Sequence, residues 1–276
     1  MSMRYYEFKS ERLEPAEKIL RAAIHSWSLS HDRPEGIPAR AFVTVSRQPG
    51  AGAISFSHRL AARLNETGAG EWSAWDRELV EKVSAEHGIA AEIINKITTR
   101  RHNWLEELLQ SFSSSEIPPD VAEIRAYERV AATIRALAAC GHAVIVGLGG
   151  AFITRNMPGG IHLRLIAPLE YRIQCTAEYE KISIHEAAAR LVEIDRRRSE
   201  FYRRFWPGKV VAPEAFTMTI NSARMSLDEL VECVIPLVRM RQTVHTCCCG
   251  QAPRSEGAGP EEKTTLPRVS STPVSV

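Results

Sequence analysis

No stretch of the sequence comes near the roughly 20 consecutive apolar residues that span a bilayer, and the opening MSMRYYEFKSERLEP has no apolar signal core. There is no excess of charge of either sign: 35 basic residues stand against 33 acidic ones, a net of +2 with histidine neutral. A chain so balanced has no global field for a nucleic-acid backbone, so any anionic ligand has to be met by a local cluster. A disulfide framework is missing too. Of six cysteines, Cys140, Cys175 and Cys233 fall inside periodic segments, and Cys247, Cys248 and Cys249 form a run without a Cys-x-x-Cys or histidine partner at zinc spacing. These absences point to a soluble, cytoplasmic protein. Its 276 residues, 44% hydrophobic and 25% charged, suffice for one sizeable core with segments to spare.

The segments order themselves by period. Residues 11–30 read as a leading helix, with Leu20, Ala23, Ile24 and Trp27 at helical spacing. From Ala41 onward, short apolar runs alternate with amphipathic ones. FVTV (42–45) reads as a strand, 53–64 as a helix, WSAW (72–75) as a strand, and Arg77 to His87 as a helix. Residues 90–115 begin helical and break at the Ser- and Pro-rich SFSSSEIPPD; a helix with Val121, Ile124, Tyr127, Ala131, Ile134 and Ala138 on one face follows. AVIVGL (143–148), HLRLIAP (162–168) and FTMTIN (216–221) are three further strands. Ser183 with Glu186, and Ser226 with Glu229, are capping boxes that open two later helices. Past Met240 the periodicity is lost among prolines, serines and glycines, which predicts a disordered tail. Strands alternating with helices imply a parallel sheet covered on both faces, with ligands beyond the carboxyl ends of its strands.

At those ends the chemistry collects. After FVTV comes Ser46-Arg47-Gln48-Pro49 and then Gly50, Ala51, Gly52, Ala53, Ile54 and Ser55, running into a helix. Such a turn either wraps backbone amides around a phosphate or is simply a tight connection. The Gly-Lys-Ser/Thr ending of the strict phosphate loop is absent, because Ala53 stands at the lysine position. Arg47 is placed to supply the missing cation, or to make a surface ion pair. Ser55 offers a hydroxyl for Mg²⁺, or merely sits in the first helical turn. Asp76 follows WSAW as an N-cap or as a site carboxylate. Gly147, Gly149 and Gly150 make a second backbone-accessible turn after AVIV. The helix from Ser183 carries Arg190, Arg197 and Arg204 seven apart, with Arg196, Arg198, Arg203 and Asp195 among them. Its bland reading is a solvated basic face neutralised by Glu193, Asp195 and Glu200.

In order, TVSRQPGAGA, WDRELV, VIVGLGGAFI, IHLRLIAPLEYRI, EIDRRRSEFYRRF and TINSARMSLDELV resemble the cytidylate-kinase-like family of phosphate-loop proteins, over residues 41–238. The resemblance implies a phosphate-loop three-layer α/β/α fold with a five-stranded parallel sheet, in a domain of residues 41–240. Around it would stand an N-terminal helical extension (1–40) and the tail (241–276). Within it would lie a nucleoside-monophosphate-binding insertion at about 77–140 and an arginine-rich lid at about 183–207. It implies transfer of the γ-phosphoryl group of ATP, with Mg²⁺, to a nucleoside monophosphate, CMP or dCMP. Residues 50–55 would then cradle the donor phosphates, with Ser55 toward the metal. Asp76, Gly147, Gly149, Arg196 and Arg204 would meet the acceptor, and Arg47, Asp195, Arg198 and Arg203 would serve the transfer. Two departures stand out: cytidylate kinases carry lysine at the position of Ala53, and relatives read Gly-Arg-Gly where this chain has Leu148. The alternative is therefore a catalytically weak nucleotide-binding or regulatory protein of the same fold. A third reading makes the arginine helix a surface for RNA.

Overall fold

A computed structural model describes residues 40–68, 70–85, 120–206 and 212–247. The leading helix, the segment at 90–115 with its Ser- and Pro-rich break, and the tail beyond 247 lie outside the described residues. The described elements, in chain order, are β1 (Phe42–Arg47), α1 (Ala53–Glu66), β2 (Ser73–Trp75), α2 (Arg77–Ala85), α3 (Val121–Cys140), β3 (Ala143–Val146), α4 (Gly150–Ile153), β4 (Gly160–Ile166), α5 (Leu169–Glu180), α6 (Ile184–Phe205), β5 (Met218–Asn221) and α7 (Leu227–Cys247). Single 3₁₀ turns at Pro213–Ala215 and Ser222–Arg224 flank β5.

The five strands run parallel in the order β2-β3-β1-β4-β5. Val43 pairs with Val144 on one side of β1 and with Ile161 on the other. Each strand sends its side chains alternately to two apolar layers. Val43, Val45, Val144, Leu163 and Leu165 pack with α1 and α7, while Phe42, Ala143 and Ile145 pack with α3 and the end of α6. The three layers are thus helices, sheet, helices. The connections from β1 toward β2 and from β4 toward β5 run to opposite sides, which makes the carboxyl ends of β1 and β4 the switch point of the sheet. Among the described residues no helix is long and apolar enough to cross a membrane.

Both sequence-read capping boxes form, Ser183 with Glu186 and Ser226 with Glu229. A third, Asp120 with Glu123, opens α3. Boundaries shift for local reasons. The strand expected over 143–148 stops at Val146, because Gly147 and Leu148 take positive φ. The strand expected over 162–168 occupies Gly160–Ile166, and Pro168 caps α5. The strand expected from 216 starts at Met218, after the 3₁₀ turn. Helix α7 carries Pro236 and continues past Met240 to Cys247, so the tail boundary at 241 falls inside a helix.

His162 on β4 faces the α3 side of the sheet, where its Nδ1 lies 2.8 Å from the Thr44 hydroxyl. Burial, and after it the nearby Arg241, push its imidazolium down to about 4. Between pH about 6.5 and about 4 the unfolded chain therefore takes a proton that the folded one refuses, and stability falls as pH drops through that window. Urea midpoints at pH 7 and pH 4.5 are expected to drop less for His162→Gln than for the wild type. Equal drops would refute it.

Candidate functional site

At the carboxyl end of β1 the backbone makes a left-handed turn. Gly50 and Gly52 both have φ +77°, and the Ala51 amide bonds the Gln48 carbonyl at 3.2 Å. Gln48 fixes the turn to β4: its amide donates to the Leu165 carbonyl, and its Oε1 accepts from the Ala167 amide, each at 2.9 Å. Gly50 is required sterically, since a Cβ there would lie 2.6 Å from the Arg172 carbonyl oxygen. Gly52 is the N-cap of α1 and, having no side chain, supplies no capping oxygen; the first turn of α1 also has no acidic residue. The leading amides of α1 and the positive end of its dipole are thereby left for an external anion.

Two cavities meet here. The larger, about 880 Å³, spreads from Ser46 and Arg47 between α2, α3 and α6. The smaller, about 170 Å³, wraps residues 49–55 and is closed by Tyr179 of α5 and Ile194 of α6. Arg47 and Arg198 line both. Arg198 donates from Nη1 to the Arg47 carbonyl at 3.1 Å, which draws α6 over the turn. Burial, and then the cationic Arg198 and Arg77, press the Arg47 charge down to about 9. Burial likewise lowers Arg198, against an opposing pull from Tyr202 and Asp195 and with smaller contributions from Arg77 and Arg172. Two guanidinium groups side by side and withdrawn from water are costly without a counter-ion. A phosphate dianion between them would remove that cost.

Around this pair stand residues that the sequence did not single out. Arg77, Arg129 and Arg164 also line the large cavity, as do Tyr127 and Tyr202. Arg164 alternates with the buried Leu163 and Leu165 on β4, so strand period alone would have aimed it at this face. Its guanidinium lies 5.6 Å above the Phe216 ring. Tyr127 ties the wall together, donating to the Leu148 carbonyl and accepting from Trp206 Nε1, each at 3.0 Å.

The expected residues separate into groups. Gly50, Ala51, Gly52, Ala53, Ile54 and Ser55 come together around the smaller cavity with Arg47 and Arg198. Gly147 shapes the neighbouring turn, and Arg47 Nη1 lies where a Cβ on Gly147 would be. Gly149 caps α4 beside the Tyr127 hydroxyl. Asp76 stands outside the lining of the large cavity and caps α2, its carboxylate accepting from the Leu79 amide at 2.9 Å. Asp195 lines that cavity, but its carboxylate pairs with Arg172 at 3.1 Å. Arg196 pairs with Glu193 and Glu200, and Arg204 with Glu123. Arg203 is exposed. Ala53 is 4% exposed within the apolar layer under α1, and Leu148 presents an apolar wall to the large cavity.

For a divalent cation, no group of three His, Cys, Asp or Glu side chains stands together among the described residues. The donor at the turn is the Ser55 hydroxyl in the smaller cavity. That set suits an ion that arrives on phosphate oxygens and keeps its waters, as Mg²⁺ does, rather than a resident metal.

Residues 42–224 match the model of the cytidylate kinase-like family. An uncharacterized protein from Eubacterium ventriosum has a similar structure, with a TM-score of 0.53 and 15% identity over 73% of this chain and 99% of its own, a likeness of fold. A uronate isomerase from Corynebacterium glutamicum is 24% identical over 102 residues, 37% of this chain, which spans only 20% of that relative's length.

Proposed function

This chain belongs to the cytidylate kinase-like family, and from that premise we propose that it transfers the γ-phosphoryl group of ATP to a nucleoside monophosphate, CMP or dCMP. The observation that carries the proposal is the placement of Arg47 and Arg198: both line the uncapped turn at the start of α1 and also the large cavity next to it. A phosphoryl group passing between two such cavities is met by both cations throughout its path. The donor phosphates lie against the amides of residues 50–55, and the acceptor lies in the large cavity between α2, α3 and α6. Phosphoryl transfer needs in-line positioning, charge neutralisation and exclusion of water rather than covalent help from the protein. Ser55 is the hydroxyl that would meet a Mg²⁺ arriving with ATP, and the ion would supply charge neutralisation for the phosphates. The arginine-rich segment at 183–207 acts as the lid, the stretch at 77–140 as the acceptor-binding insertion, and the protein works in the cytoplasm on small nucleotides.

An ADP-release assay with CMP, dCMP, UMP, AMP and non-nucleotide acceptors tests this. CMP or dCMP is expected to stimulate release most strongly. No acceptor-dependent release at high protein concentration would overturn the kinase reading.

Ala53 and Leu148 favour a second reading, a nucleotide-binding protein with weak turnover, because each replaces a cation with an apolar group. Leu148→Arg separates the two. The substituted side chain extends from a backbone already at φ 52° into the large cavity, so it adds charge without a new backbone conformation. A gain of about tenfold in kcat/KM for the acceptor, about 1.4 kcal/mol of barrier, is expected if the scaffold is otherwise competent. An unchanged rate would show that Leu148 does not limit turnover.

A further inference from the structure

Arg172 stands on α5 with 8% of its surface exposed, a position where a guanidinium must be fully engaged. Its Nε donates to the Ala167 carbonyl at 3.2 Å. Its Nη1 donates to the Pro49 carbonyl at 3.3 Å and to Asp195 Oδ2 at 3.1 Å. The backbone of α5 closes on the same glycine turn, as the steric limit at Gly50 shows. One side chain therefore holds together the end of β4, the turn before α1 and the middle of α6.

Asp195 and Arg198 are three residues apart on α6, a spacing at which opposite charges pair along a helix. They do not pair here. The carboxylate goes to Arg172, and Arg198 reaches back to the Arg47 carbonyl. Among the described residues, no carboxylate forms an ion pair with Arg198.

We infer that Arg172 is a positioning residue: its ion pair with Asp195 keeps that carboxylate from closing on Arg198, whose guanidinium stays out of any ion pair and open to a polyphosphate. The inference rests on the kinase reading for the identity of the ligand. Without Arg172, Asp195 would turn to the adjacent guanidinium and compete with the incoming anion.

Calorimetry on the full chain with inorganic tripolyphosphate and with ATP tests this, alongside melting temperatures. Arg172→Met is expected to weaken both ligands tenfold or more, and Asp195→Asn alone by no more than about threefold. Arg172→Met/Asp195→Asn is expected to return to within about threefold of the wild type. If Arg172 were only a strut, removing Asp195 as well could not restore binding. Arg172→Gln, whose shorter amide can still donate to the Ala167 carbonyl but carries no charge, serves for the same comparison should the methionine variant fail to fold. A double variant no tighter than Arg172→Met, or an Asp195→Asn loss as large, would overturn the inference. Wild-type protein that binds ATP yet transfers no phosphoryl group would sink the kinase reading alone; wild-type protein that binds neither ligand would sink both.

Discussion

Arg198→Ala is expected to lower kcat/KM for phosphoryl transfer by a factor of about 10²–10³, with a melting temperature close to that of the wild type. The magnitude is that of losing one preorganised donor aimed at developing charge, about 2.7–4 kcal/mol. The fold should survive because the α6 residues that hold the core are elsewhere. Leu191 and Phe205 of α6, and Trp206 just beyond it, are buried, whereas Arg198 contributes one bond to a carbonyl and the wall of two cavities. Steady-state kinetics with saturating ATP and varied CMP, beside a thermal melt, would measure both. A loss below threefold would mean that the pair at the mouth of the turn is not where the phosphoryl group passes.

Gly147→Ala should be nearly as damaging, without removing any charged group. Its φ is +80°, where a Cβ costs about 1–2 kcal/mol, and that Cβ would lie 1.7 Å from Arg47 Nη1. The guanidinium has to shift off that position. Turnover is therefore expected to fall as far as in Arg47→Ala, and the double variant should be hardly worse than either single one, since both remove the same interaction. The melting temperature should drop by several degrees from the backbone strain alone. Additive losses in the double variant would show that Gly147 acts on something other than Arg47.

The turn at 46–55 was legible because its signature is local, a buried strand, two glycines and a helix start within a few residues, although the contacts that hold it come from Leu165, Ala167 and Arg172. The basic helix was harder to read. Its heptad, Arg190, Arg197 and Arg204, is the most conspicuous pattern in the sequence, yet each of the three is paired with a carboxylate, on Glu180, Glu193 and Glu123 respectively. The arginine that reaches the turn is Arg198, one position off that stripe. Periodicity reports which residues share a face, not what that face opposes. Arg172 gave no signal at all, because its partners Pro49 and Asp195 lie 123 and 23 residues away. Asp76 illustrates an ambiguity of residue type: a carboxylate at a strand end serves equally as cap or as ligand, and its bond to Leu79 shows it capping. The number and parallel direction of the strands were read, but their order was not, since no local rule sets which strands become neighbours.

That order bears on how the chain is made. The central strand β1 precedes both of its neighbours, β3 and β4, in the chain, with Val43 set against Val144 and Ile161. The amide and side chain of Gln48 find partners only at Leu165 and Ala167. Until about a hundred further residues have been synthesised, the central strand has both edges bare, and the turn before α1 has nothing to hold its shape. Pairings this distant in sequence are slow to form. The nascent protein must therefore shield β1 until β3 and β4 follow it, and a nucleotide can assist folding only after β4 has been added.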